Sequence, residues 1–407
     1  MDIKSLISKI KIEEKETSDF LHLTANEAQL SKTAFNFVTS KLSERYFFGG
    51  GENGVVNSGG FYGRGLPAVQ DLINEGIEAA KRMLGAYSVN LNCLSGVHAM
   101  MCAILSTTEP GDTIMTVHHD HGGHFATKGI IERVGRKQVF ASYNLEDLRF
   151  DTEKMAKDFR ENSCKALYLD VSYYLNPHNL KEIRAALGDE AIIIFDASHT
   201  MGIIMGQRFQ APLKEGANVV CANTHKTLPG PQKGMIAFRD ADLAEKANAI
   251  IDGYLFSSPH THHMLALATT ILELEAFGQD YADQIIKNSN AVAQAFVDLG
   301  YEVRKSNTGA YSHNHQAHIF IDKLGDPAGL YKKLLNNNIS TNFDSPLGGR
   351  TFIRIGSQEV TRRGMKEGEM KTVASLIDRS LKDENVKSEV QKLNSQFQEI
   401  KFSFDNL

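Results

Sequence analysis

Between residues 89 and 239, short runs of branched and aromatic residues alternate with helical segments. This alternation narrows the possible folds more than any other feature of the chain. Val89–Cys93, Thr113–Val117, Ala166–Val171, Ala191–Phe195, Asn218–Ala222 and Met235–Arg239 read as strands, with helices at Val97–Leu105 and Asn179–Leu187 between them. Strands this apolar have no solvated face, so the pattern predicts an α/β fold with a mostly parallel central sheet and helices on both faces. A long amphipathic helix over Leu66–Leu84 precedes it, with Val69, Leu72, Ile73, Ile77, Ala80 and Leu84 on one face and Gly85 placed to end it. The glycine-rich stretch Gly49–Gly65 is too polar for a core element. Helices at about 281–299 and 327–337 and strands at 317–322 and 351–355 suggest a smaller C-terminal α+β domain. With 407 residues, the chain divides into an N-terminal arm (1–30), a large domain (31–277) and a small domain (278–407). The last twenty residues read as peripheral.

In open α/β sheets, ligands sit at the carboxyl ends of the strands. Three such ends carry chemistry here. Leu94-Ser95-Gly96 opens a helix after the first strand, where N–H groups and the helix dipole favour a phosphate; the same pattern also describes an ordinary N-cap. Asp196 follows Ile192–Phe195, and a buried acid there calls for a cationic partner such as a protonated pyridine nitrogen. His199 lies three residues on, within reach of a ring substituent. Lys226 follows the strand at 218–222 and precedes a loop rich in Gly and Pro, which fits an amine held rigidly and partly desolvated for imine formation. Taken singly, Asp196 also reads as a helix cap and Lys226 as a solvated loop lysine; together the three ends offer phosphate, acid and amine functions in that order.

The run Thr224-His225-Lys226-Thr227-Leu228-Pro229-Gly230-Pro231 resembles the lysine signature of serine hydroxymethyltransferase, a fold-type I pyridoxal-phosphate enzyme family, and the likeness covers most of the chain. The resemblance implies pyridoxal 5′-phosphate as cofactor, a small amino-acid substrate and a homodimer with shared active sites. It assigns Ser95 and Gly96 to the phosphate turn, and His121, in His121-Gly122-Gly123-His124, to stacking on the cofactor ring. It assigns Ser172, Asp196, His199, Thr224 and His225 to cofactor contacts. Asn26 and Glu27 match the N-terminal substrate loop, Arg354 the grip on the substrate carboxylate, and Tyr46, Tyr62 and the 257–263 loop the cross-subunit contributors. Tyr62 and His124 are candidate bases for the substrate hydroxyl.

Departures from the family bear on the reaction. The family's Tyr-x-Glu-Gly element reads Tyr46-Phe47-Phe48-Gly49, so a phenyl ring replaces the glutamate that handles protons in folate-dependent transfer. The loop from Gly50 to Gly60 is longer than the family's, and Glu52 within it is a candidate substitute. The basic residue expected after Gly230-Pro231 is Gln232, with Lys233 one place later, and the phosphate-touching glycine loop reads Ser257-Ser258-Pro259-His260-Thr261-His262-His263. These histidines lack the register of HExxH, and no metal is expected. The reading is therefore aldol cleavage or transaldol transfer of a β-hydroxy amino acid, independent of folate. A decarboxylase, decarboxylating deaminase or aminotransferase on the same scaffold is the alternative enzyme, and an inactive binding homologue the alternative to an enzyme. Net charge is −5 with interspersed signs, which argues against a nucleic-acid surface. No signal-length or membrane-length apolar run occurs, and four cysteines without CxxC spacing suit a reducing compartment, so a cytoplasmic protein is expected.

Overall fold

The computed structural model describes residues 2–406 apart from Gly59, Pro259 and 346–348; Gly59 of the glycine-rich loop and Pro259 of the histidine loop therefore lie outside the described residues. Two compact units emerge, one of residues 26–283 and 402–407, the other of residues 1–25 and 284–401. The N-terminal segment thus groups with the C-terminal unit rather than standing as an arm, and the division falls inside a helix rather than at 277.

The larger unit is built on a seven-stranded sheet: β1 (Ser88–Asn90), β2 (Thr113–Thr116), β3 (Lys137–Phe140), β4 (Cys164–Leu169), β5 (Ile192–Asp196), β6 (Val219–His225) and β7 (Pro229–Phe238), in the order β1-β7-β6-β5-β4-β2-β3. The block from β6 to β3 is parallel, while β7 runs antiparallel to both β6 and β1. Strand β7 begins at Pro229, inside the stretch read as a loop. Proline is tolerated at the first residue of a strand, where Pro229 pairs with His225 next to an irregularity in the register. Helix α1 (Pro67–Leu84) buries Val69, Ile73, Ala80 and Leu84 and ends at Gly85, whose left-handed φ of 65° a side chain would oppose. Helix α2 (Gly96–Thr107) follows β1, and its Ala99, Cys102 and Ala103 pack with Ile114, Ile194, Val219 and Ile236 of the sheet into one core.

Helix α3 (Thr127–Arg133) and the short α4 (Met201–Met205) follow, then α5 (Thr261–Asp298), continuous over 38 residues. The helix expected at about 281–299 is therefore the second half of α5. Gly206, just after α4, has no room for a side chain, because a Cβ there would meet the Gly278 carbonyl at 2.4 Å. The glycine-rich stretch folds as an exposed hairpin, Val55–Ser58 against Phe61–Arg64.

The smaller unit pairs Leu21–His22 in parallel with Ile339–Ser340, and holds a three-stranded antiparallel sheet of β8 (Gln316–Phe320), β9 (Asn342–Asp344) and β10 (Phe352–Gly356) in the order β8-β10-β9. Leu21, Leu23, Phe296, Ile319, Ile353 and Val390 share its core. The C-terminal residues are less peripheral than their polarity suggests. Val390 and Ile400 are buried, and Asp405 accepts from Lys32 N and Thr33 N within the larger unit. The N-terminal helix Ile3–Ser18 buries none of its residues. Among the described residues, no helix is long and apolar enough to cross a membrane.

Candidate active site

The carboxyl ends of β4, β5 and β6 open into a cleft lined by Gly96, Val97, Met100, His124, Asp170, Val171, Ser172, Asp196, Ser198, His199, Asn223 and Lys226. Lys226 stands just beyond the end of β6, with Nζ 3.0 Å from His199 Nε2. In the orientation of the Asn223 amide that satisfies both its ends, its oxygen accepts from Lys226 Nζ at 3.2 Å and its nitrogen donates to the Ser198 carbonyl at 3.2 Å. The backbone after the lysine is fixed from α4. Thr227 Oγ1 donates to the His199 carbonyl (2.8 Å) and accepts from Gly202 N (3.1 Å).

Asp196 ends β5 with both oxygens engaged: Tyr168 OH donates at 2.6 Å and Ser198 N at 2.8 Å. Tyr168 sits on β4 and is wholly buried, and burial together with the Asp196 charge pushes its phenol well above the usual range. It is thus a permanent donor that fixes the carboxylate. The turn read as a phosphate site, Ser95-Gly96, is the start of α2. Ser95 Oγ accepts from His98 N at 3.1 Å in N-cap geometry, while Gly96 and Val97 present the first turn of the helix to the cleft. A hydroxyl that accepts can still donate, so the cap and a phosphate contact are compatible.

His124, Ser172, Asp196, His199, Lys226 and Gly96 are brought together as the sequence suggested. Burial first, then the Lys226 charge, hold the His124 imidazole below its usual range against the pull of Asp196, so it is a neutral base at pH 7. His121 is not among the lining residues. It ends a tight turn over His119–His121, near the His118 and Tyr143 rings, and burial lowers its imidazole too. Thr224 is committed to the protein, because its hydroxyl donates to the Pro231 carbonyl (2.6 Å) and accepts from Lys233 N (3.1 Å). It braces the turn that carries Lys226 rather than offering its proton to a ligand. His225 is pushed down to about 4, by burial and then by Lys226.

Asn26, Glu27, Tyr46, Tyr62 and Glu52 lie outside this cleft within one chain. Tyr46 and Tyr62 are exposed; Phe48 stacks on Tyr46 (5.6 Å between centroids, 5° between planes) and packs against Phe61. Arg354, on β10 of the smaller unit, donates from Nε to Asp344 at 2.8 Å.

Sequence reasoning gave no role to Asp170, Tyr168, Ser198 or Asn223, and named Lys233 only by its place in the chain. Asp170 lines the cleft beside Asp196, and Tyr168 orients Asp196; neither belongs to a local motif. Lys233 is 1% exposed, its Nζ donates to the Cys93 carbonyl (3.2 Å), and burial lowers it to about 8. The histidines at 260, 262 and 263 have rings 4.2–6.1 Å apart between centroids, and burial lowers all three. Among the described residues, the group close enough to share a metal ion is Cys93, His98 and Cys102, but His98 Nδ1 already accepts from Leu94 N and Nε2 faces the Leu255 carbonyl.

A phosphorylated pyridine aldehyde would find complementary groups here: a helix N-terminus for the phosphate, a fixed carboxylate for the ring nitrogen and an amine beside an imidazole for the aldehyde. Comparison with known proteins agrees. The serine hydroxymethyltransferase family model matches residues 2–377. Serine hydroxymethyltransferase of Methanocella arvoryzae is 34% identical over 99% of this chain and 97% of its own. Fluorothreonine transaldolase of Streptantibioticus cattleyicolor is 35% identical over 90% of this chain and 58% of its own length. The crystal structure of L-threonine transaldolase from Pseudomonas fluorescens in its internal aldimine state superposes with a TM-score of 0.90 at 29% identity, covering 99% of this chain and 94% of that one.

Proposed function

The chain belongs to the serine hydroxymethyltransferase family, and we propose that it catalyses folate-independent aldol cleavage or transaldol transfer of a threonine-type β-hydroxy amino acid. It is a pyridoxal-phosphate enzyme of fold type I acting at an amino-acid Cα. The observation that carries the reading is Lys226 at the end of β6, 3.0 Å from His199 in a cleft shared with Asp196.

Bound pyridoxal phosphate supplies an aldehyde carbon for amines and a ring that accepts the electron pair released at Cα. The protein's residues do the rest. His199 Nε2 takes a proton from Lys226, which makes the amine nucleophilic, and Asn223 aims it. Asp196, held by Tyr168 and Ser198 N, would pair with the cofactor's ring nitrogen. Gly96 and Val97 N–H groups would hold its phosphate. Neutral His124 accepts the proton of the substrate hydroxyl as the Cα–Cβ bond breaks. Arg354, its guanidinium held by Asp344 within the smaller unit, is the candidate grip on the substrate carboxylate.

Phe48 supports independence from folate: it is packed between Tyr46 and Phe61 and handles no proton. Tyr46, Phe48 and Phe61 form an exposed aromatic cluster, which supports a homodimer. Four free cysteines support a cytoplasmic setting. The unit of residues 26–283 and 402–407 serves as the cofactor domain, and within the other unit the N-terminal segment packs on the strand at Ile339–Ser340.

The test is product analysis of the cofactor-loaded protein with L-threonine, with and without an added aldehyde. Glycine with acetaldehyde, or a new β-hydroxy amino acid when aldehyde is present, is expected. Carbon dioxide release instead would replace the aldol reading with decarboxylation.

A further inference from the structure

The mechanism leaves one acid of the cleft without a task. Asp170 directly follows β4, and the register of β4 with β5, with Leu169 opposite Phe195, brings Asp170 opposite Asp196 one step later. In a parallel pair, opposed side chains emerge on the same face. Tyr168, two residues before Asp170 and so on that face, reaches Asp196 at 2.6 Å. Asp170 is 5% exposed. Its Oδ2 accepts from Thr127 Oγ1 (2.5 Å) and His124 N (3.0 Å), while Oδ1 is buried with no hydrogen-bond partner.

A buried carboxylate oxygen without a donor is costly, and two carboxylates side by side in a dry site cannot both ionise cheaply. Burial, and behind it the Asp196 charge, push the Asp170 carboxyl up to about 7 despite the opposing bonds from Thr127 and His124 N. The ionisable groups around it are Asp196 on β5, Tyr168 on its own strand, Cys221 on β6, and His124 with Lys226 across the cleft.

We propose that Asp170 is the neutral member of an acid–carboxylate pair with Asp196: a positioning residue, protonated on Oδ1, that clamps the His124–Thr127 segment through Oδ2 and leaves Asp196 as the pair's one negative charge. Its use toward the cofactor's ring nitrogen rests on the function proposed above; the neutral state itself does not.

Asparagine mimics a protonated aspartate, offering one acceptor oxygen and one donor group. The test compares wild type, Asp170→Asn and Asp170→Ala in two measurements between pH 5 and 9: the affinity for pyridoxal phosphate, and urea unfolding of the protein without added cofactor. Because the folded carboxyl titrates above the unfolded one, its contribution to stability is fully present below the unfolded value near 3.8 and is lost as pH rises toward 7. The wild-type folding constant should therefore fall, relative to Asp170→Asn, by up to tenfold per pH unit from 5 to 7 and then level off. At pH 6, Asp170→Asn should bind cofactor within about threefold of wild type, and Asp170→Ala at least about tenfold more weakly. Thr127→Val, which removes a bond that favours ionisation, should move the stability transition to higher pH. Parallel stability profiles for wild type and Asp170→Asn would overturn the proposal, as would an Asn variant as defective as Ala at every pH. A wild type that never binds cofactor would overturn the functional reading instead, and the unfolding profiles would still decide the charge of Asp170.

Discussion

Gly202 of α4 should be irreplaceable, because the backbone of the lysine turn presses on it. A Cβ at this position would lie 2.0 Å from the Thr227 carbonyl oxygen, 2.3 Å from its carbon and 2.7 Å from Leu228 N. Comfortable contacts of carbon with heavy atoms lie near 3.5 Å, so Gly202→Ala must drive the two segments apart by more than about 1 Å. All three neighbours are main-chain atoms with no rotamer to escape into. The cost should reach the upper part of the range for overpacking, about 1–3 kcal/mol. In a unit of this size that amounts to about 2–4 °C of Tm per kcal/mol. The larger effect is positional. Thr227 follows Lys226 and bonds both Gly202 N and the His199 carbonyl, so the displacement disturbs the 3.0 Å approach of Lys226 to His199. A misplacement of about 1 Å can cost about 100-fold in rate. Calorimetry, borohydride trapping of the cofactor on Lys226 and threonine turnover together give the assay. A variant with wild-type Tm and turnover would refute the idea that α4 fixes the lysine.

Lys226→Ala should lose borohydride-trapped cofactor by mass spectrometry, and turnover should fall by about 10³-fold or more. Tyr168→Phe keeps the buried ring but strips Asp196 of its 2.6 Å donor; urea unfolding should show a loss of about 1.5–3 kcal/mol, with weaker cofactor binding in an absorbance titration. Gly129→Ala, in α3 with no atom within 4 Å of the new methyl, should leave activity intact and raise stability by about 0.5–1 kcal/mol in the same unfolding assay.

The strand ends were legible in the sequence because each couples an apolar run to one polar residue, and Lys226, Asp196 and Ser95-Gly96 sit at three of them. Of Pro229–Phe238 only the end from Met235 was legible as a strand, since its first half is rich in glycine and proline; pairing with His225 and Asn223 carries the strand back to Pro229. Asp170 was hidden for the same kind of reason: its meaning comes from the register between β4 and β5, which a single sequence does not display. The hydroxyl of Thr224 looked like a ligand group until the Pro231 carbonyl was found at the other end of it.

The strand order has a consequence for how the chain acquires its activity during folding. The phosphate turn follows β1 and the lysine follows β6, yet β1 joins the sheet only by pairing with β7, Asn90 against Ile236. Contacts between segments so far apart in sequence are slow to form, because loop-closure entropy is spent before they give anything back. The phosphate cup and the reactive amine therefore come together only after the returning strand has docked. On a ribosome, no nascent chain shorter than Phe238 could hold the cofactor, and in a refolding experiment the appearance of its colour would time the last event in the sheet rather than the first.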